Sequence, residues 1–88
     1  MVEKEIIVSN TLGIHARPAS MVVQTASKFK SAIQIQKDEI TADAKSIMSV
    51  MMLAAAWNCT VRIKATGPDE KEALEAVARL FETGFGEQ

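Results

Sequence analysis

The sequence predicts an α+β fold: an open-faced two-layer sandwich in the order β-α-β-β-α-β-α. Its sheet has four antiparallel strands, with three helices on one face. Three observations predict this. Val61, Ile63 and Ala65 alternate with Thr60, Arg62, Lys64 and Thr66, the pattern of a strand with one solvated face. Two segments, Ala19 to Phe29 and Leu74 to Phe81, carry apolar residues at helical spacing. The chain has 88 residues, so a single domain over residues 1–88 is expected, and half-solvated sheets and striped helices bury their apolar sides in two layers.

The elements follow in order. Val2, Ile6 and Val8 share one face of a first strand with Lys4, and Glu3 and Glu5 take the other. Ser9-Asn10-Thr11 breaks that pattern, and Gly13 frees the backbone for a tight approach. Pro18 suits the first turn of a helix, and Arg17, before a proline, marks its boundary. This helix is expected to run to about Lys28, with Ala19, Val22, Val23, Ala26 and Phe29 inward. Ala32 to Gln36 forms a second strand, Lys37-Asp38-Glu39 a turn, and Ile40 to Asp43 a short third strand. Ser46 is an N-cap for a helix over residues 47–56 that is apolar nearly all round, with Val50 and Leu53 toward the core. Asn58 ends it in left-handed backbone. Thr60 to Thr66 is the fourth strand, and Gly67-Pro68 turns the chain. Asp69 and Glu72 then read as an Asp version of the capping box. The last helix reaches about Thr83, with Leu74, Val77, Leu80 and Phe81 facing the core.

Composition excludes several functions. Ten basic and eleven acidic side chains leave a net charge of −1, which argues against nucleic acid as a partner. No apolar stretch is long enough for membrane insertion. The start, Met1-Val2-Glu3-Lys4-Glu5, lacks the layout of a secretory signal, so a cytoplasmic location is expected. One cysteine, Cys59, excludes an internal disulfide and reads as an inert small hydrophobe. One Cys and one His cannot form a dedicated zinc site, so no metal is expected, and no cofactor motif is present.

The single histidine carries the chemistry. His15 lies in Gly13-Ile14-His15-Ala16-Arg17-Pro18, between a strand and a helix start. Neutral imidazole is a good nucleophile near pH 7, and a helix N-terminus disfavours the imidazolium. Backbone N–H groups of Ala16 and Arg17 and the Arg17 guanidinium can receive the charge of a phosphoryl group. No acidic residue lies between Glu5 and Asp38, so nothing local activates water. The residues therefore suit a carrier better than a turnover catalyst.

Leu12 to Ala19 resembles the active-site signature of the HPr family, the histidine phosphocarriers of the bacterial phosphotransferase system. Lys45-Ser46-Ile47-Met48 resembles the family's second, regulatory motif, at matching separation. The resemblance spans the chain and implies an HPr-like fold. It implies that Enzyme I phosphorylates His15 on Nδ1, with Arg17 stabilising the phosphate, and that an EIIA-type protein receives the group, in sugar-uptake members for transfer to sugar. It also implies phosphorylation of Ser46 by an HPr kinase/phosphorylase and contact with a transcriptional regulator. Asp38-Glu39 and Asn58-Cys59 stand where many members carry glycine-containing pairs, and Ser49 where many carry glycine.

Ile47, Met48, Met51 and Met52 sit on a helix that cannot bury every side, so an exposed apolar surface for partners is expected there. Trp57 is expected to cap the core at the end of that helix. A monomer is expected. Two rival readings stand beside sugar uptake. One is the nitrogen-related regulatory branch, which Gly84-Phe85-Gly86-Glu87 and the run Met51 to Ala55 resemble. The other is a regulatory binding module acting through Ser46, which would have no use for His15.

Overall fold

The structure, a computed structural model, describes residues 1–10, 13–53 and 55–86. Four strands form one sheet: β1 (Val2–Ile7), β2 (Ala32–Lys37), β3 (Ile40–Asp43) and β4 (Thr60–Thr66). Their spatial order is β1-β4-β2-β3 and every pairing is antiparallel. Strand β4 takes a central position because Val61, Ile63 and Ala65 all face the core. Ile6 lies opposite Val61, and Ile35 opposite Ile63, so register and core face agree across the sheet. The other face is solvated. There Glu5 lies opposite Arg62 and accepts from its guanidinium at 3.1 Å.

Three helices cover the inner face: α1 (Ala16–Ala26), α2 (Ile47–Met52) and α3 (Glu70–Glu82). Helix α1 buries Pro18, Ala19, Val22 and Ala26. It starts one residue before the expected boundary, because Pro18 occupies the third helical position, where the missing N–H has no partner to lose. It ends at Ala26 rather than near Lys28, since Ser27 and the residues after it bond back as a turn. Helix α3 buries Ala73, Val77, Ala78 and Phe81. Leu74 and Leu80, expected inward, are only half-buried rim residues; the two alanines take the contact line instead.

The predicted capping box at α3 does not form. Asp69 holds the N-cap position without a side-chain cap bond. Its carboxylate instead accepts from the backbone N–H of Lys30 at 3.0 Å, from that of Ser31 at 2.9 Å, and from the Ser31 hydroxyl. It thus ties the start of β2 to the start of α3. These bonds, the Ser31 hydroxyl foremost, hold the Asp69 carboxyl down at about 2 against an ordinary 3.8. A depressed carboxyl contributes stability above its ordinary range and loses it as pH falls through its folded value. The urea midpoint of the wild type should therefore fall between about pH 4 and pH 2. Asp69→Asn should lower the midpoint at neutral pH and flatten that acid limb. An acid limb of unchanged steepness in the variant would contradict this origin.

Helix α2 stops at Met52, short of the expected 56. Ala54 is outside the described residues. Ala55 and Ala56 are not helical. Asn58 takes the expected left-handed backbone at φ 70°. Trp57 does not cap the core; it is 58% exposed. Beyond α3 lies an element absent from the sequence-based expectation, a short turn over Gly84–Gly86 that buries Phe85. No helix of the described residues is long and apolar enough to cross a membrane.

Candidate functional site

Asn10, Gly13 and Ile14, on the way to His15, are each held by neighbouring backbone. Asn10, fully buried, donates from Nδ2 to the Gly13 carbonyl at 2.7 Å, while the Gly13 N–H donates to the Asn10 carbonyl at 3.0 Å. Gly13 has φ 67°, and a Cβ there would lie 2.6 Å from the Ala55 carbonyl oxygen. Only glycine allows that approach. The next N–H, of Ile14, then donates to the same carbonyl at 2.8 Å. The Ala55 carbonyl thus serves a residue 41 positions earlier, while α2 itself closes where the Leu53 N–H bonds back to the Val50 carbonyl at 3.3 Å. Leu12 and Thr11 lie outside the described residues.

His15 follows as the N-cap of α1, with extended backbone at φ −115° and ψ −168°. Its carbonyl accepts the first helical bond, from Ala19, at 3.0 Å. Its half-buried imidazole makes no cap bond to the helix. An N-cap side chain lies where the first-turn N–H groups of a helix lack internal acceptors. With proline third in α1, Ala16 and Arg17 are the first-turn positions before it that carry an N–H. The first turn of α1 contains no acidic residue, whereas that of α3 has Glu70 and Glu72. The positive end of the α1 dipole is therefore left uncompensated by its own side chains. Arg17 is exposed and donates from Nη1 to the Phe85 carbonyl at 3.1 Å.

The second motif lies at the start of α2. Ser46 is its N-cap, as expected, and its Oγ accepts from the Ser49 N–H at 3.3 Å. Asp43 shapes the approach: its side chain accepts from the Lys45 N–H at 2.9 Å and its carbonyl from the Ser46 N–H at 3.0 Å. The Lys45 ammonium donates to the Phe29 carbonyl at 2.8 Å, so it tethers the turn after α1. Val50 and Leu53 are fully buried and Ile47, Met48, Met51 and Met52 are exposed, as the sequence predicts. Met48 and Met52 are the most open, at 72% and 70%. A helix of six residues is about 9 Å long. The Ala55–Ile14 bond joins the chain just beyond it to the residue before His15. The segments that carry His15 and Ser46 thus belong to one connected scaffold in which α1 packs on α2. Sequence reasoning missed Asn10, Ala55 and Phe85. Of these only Phe85 carried a local signal, its two flanking glycines.

A family model described as "PTS HPr component phosphorylation site" matches residues 2–83. The chain is 47% identical over 88 residues to the phosphocarrier protein HPr of Treponema pallidum (strain Nichols), covering all of both. It is 39% identical over 87 residues to the phosphocarrier protein NPr of Escherichia coli (strain K12), covering 98% of this chain and 97% of the relative. The crystal structure of HPr-C-His from Thermoanaerobacter tengcongensis superposes with a TM-score of 0.95 at 46% identity, over 100% of this chain and 99% of that one. A structure of an HPr dimer from the same organism gives 0.79 at 47% identity, over 99% and 100%.

Proposed function

The chain belongs to the HPr family of phosphotransferase-system phosphocarriers, and on that premise we propose that His15 is its phosphoryl relay in sugar uptake. The Nδ1 lone pair of His15 attacks the phosphorus carried by Enzyme I. The new N–P bond forms as the bond to Enzyme I breaks, and the donor atom on Enzyme I keeps that electron pair. Nε2 retains its proton throughout. The N–H groups of Ala16 and Arg17 and the Arg17 guanidinium receive the phosphoryl oxygens. An EIIA-type protein then takes the group by the same displacement in the other direction.

The observation that carries this reading is the placement of His15. Its imidazole stands at the N-cap of α1 without serving as a cap, on a first turn that has an arginine and no acid. Phosphorylation brings negative charge to a place already arranged for it. The exposed Ile47, Met48, Met51 and Met52 form the partner surface in this reading, and Ser46 is the place where a kinase would regulate it. The carrier works in the cytoplasm, as a monomer, because each partner must reach the same side chain.

Incubation with Enzyme I and labelled phosphoenolpyruvate tests the proposal. The expected product is one label per chain, labile in acid and stable in alkali. Addition of a sugar-specific EIIA should discharge it. A protein that takes no label is not the relay. The identity to NPr and the Gly84-Phe85-Gly86 tail favour a second reading, the nitrogen-related branch. In that case the label passes only to a regulatory EIIA-type protein.

A further inference from the structure

Three consecutive residues after α3 have left-handed backbone: Gly84 at φ 61°, Phe85 at φ 57° and Gly86 at φ 73°. Glycine adopts this freely, but a bulky side chain does so only when its surroundings enforce it. Here the enforcement is burial. Phe85 is fully buried, and its ring meets Phe81 edge to face with centroids 4.8 Å apart. The carbonyl of this same residue accepts from Arg17 Nη1.

The end of α3 also reaches the other flank of the His15 loop. The Ser9 hydroxyl donates to the Phe81 carbonyl at 3.1 Å, and a Cβ on Gly84 would stand 3.5 Å from that hydroxyl. The segment from Phe81 to Phe85 therefore contacts the loop before His15 through Ser9 and the helix after it through Arg17. Nothing in the relay chemistry requires a buried phenylalanine 70 residues from the histidine.

We propose that the Gly84–Phe85–Gly86 turn positions Arg17, with Phe85 as its anchor. The buried ring holds the turn in its left-handed form, and the turn presents one carbonyl to Nη1. Arginine has five N–H donors in a planar fork, so a bond from one of them fixes the plane in which the others meet a phosphoryl group. The guanidinium is thus oriented before phosphate arrives, which lowers the ordering cost of transfer. Phe85 is a positioning residue, acting through Arg17.

The inference rests on the relay reading, and its test has an arm that does not. That arm is exchange of the Arg17 Nη1 protons, followed by NMR in the protein alone. It should be slow in the wild type and fast in Phe85→Ala and Gly86→Ala. Gly86→Ala is included because φ 73° strains any side chain there, at an exposed position outside the core, while the added methyl meets Arg17 Nη2 only in ordinary contact at 3.8 Å. The second arm is single-turnover phosphorylation by Enzyme I. Each variant should slow it about tenfold when Arg17 is present and less than about twofold in an Arg17→Ala background. Phe85→Leu should restore most of the rate. Unchanged Nη1 exchange in the variants, or equal slowing with and without Arg17, would overturn the proposal. A wild type that takes no label at all would instead overturn the relay reading, and the exchange measurement would still decide this one.

Discussion

His15→Ala should abolish phosphoryl acceptance and leave the fold intact. The two halves of this expectation have separate grounds. Acceptance ends because His15 is the only imidazole in the chain and no other nucleophile stands at the start of α1. Arg17 and the helix N–H groups can hold a phosphate but cannot bond to phosphorus. The fold survives because the imidazole makes no cap bond, so alanine forfeits little of the helix start. The His15 carbonyl, which accepts from Ala19, is backbone and remains. A stability loss within about 1 kcal/mol is expected, measured as a urea midpoint. Acid-labile label retained in the variant would move the relay to another residue. A collapsed fold would mean that the half-buried ring carries packing as well as chemistry.

Legibility in the sequence followed the range of the interactions. The range of β4 was readable to the residue, because strand alternation is a property of neighbours. The placement of the candidate site's residues was readable for a similar reason. His15, Arg17, the helix start and the N-cap position all lie within Gly13 to Pro18. Ser46 and the division of α2 into buried Val50 and Leu53 and exposed methionines were also local in origin.

What was misread depended on distant partners. The apolar run after Met52 looks helical, but α2 closes with Leu53 bonded back to Val50, and Gly13 packs against the backbone of Ala55 and Ala56. Asp69 and Glu72 have the spacing of a capping box, but Ser31, 38 residues earlier, draws the carboxylate away. Trp57 looks like a core residue by its chemistry, yet the turn at Asn58 leaves it outside. The glycines around Phe85 signal a turn; that the turn is buried and bonded to Arg17 depends on Phe81 and on the loop at Ser9. Hydrogen bonds to backbone carbonyls and carboxylates recur in these cases. Residue type says little about which partner such an acceptor finds.

Ser46→Asp should slow phosphoryl transfer from Enzyme I by roughly ten- to a hundredfold with almost no change in stability. Stability is spared because aspartate is as good an N-cap as serine and can accept from Ser49 as Ser46 does. Negative charge also suits the start of α2, whose first turn contains no acid. The cost falls on association. Ile47 and Met48 follow Ser46 directly and are exposed, so a partner that covers them must also desolvate the new carboxylate. The slowing should therefore appear mainly as a raised KM for Enzyme I. Added salt should recover only the part due to long-range repulsion, because screening does not remove a desolvation cost. True phosphorylation adds about two charges rather than one and should act more strongly. Equal rates for Ser46→Asp and wild type would show that partners do not cover the start of α2, and would leave Ser46 as an N-cap alone.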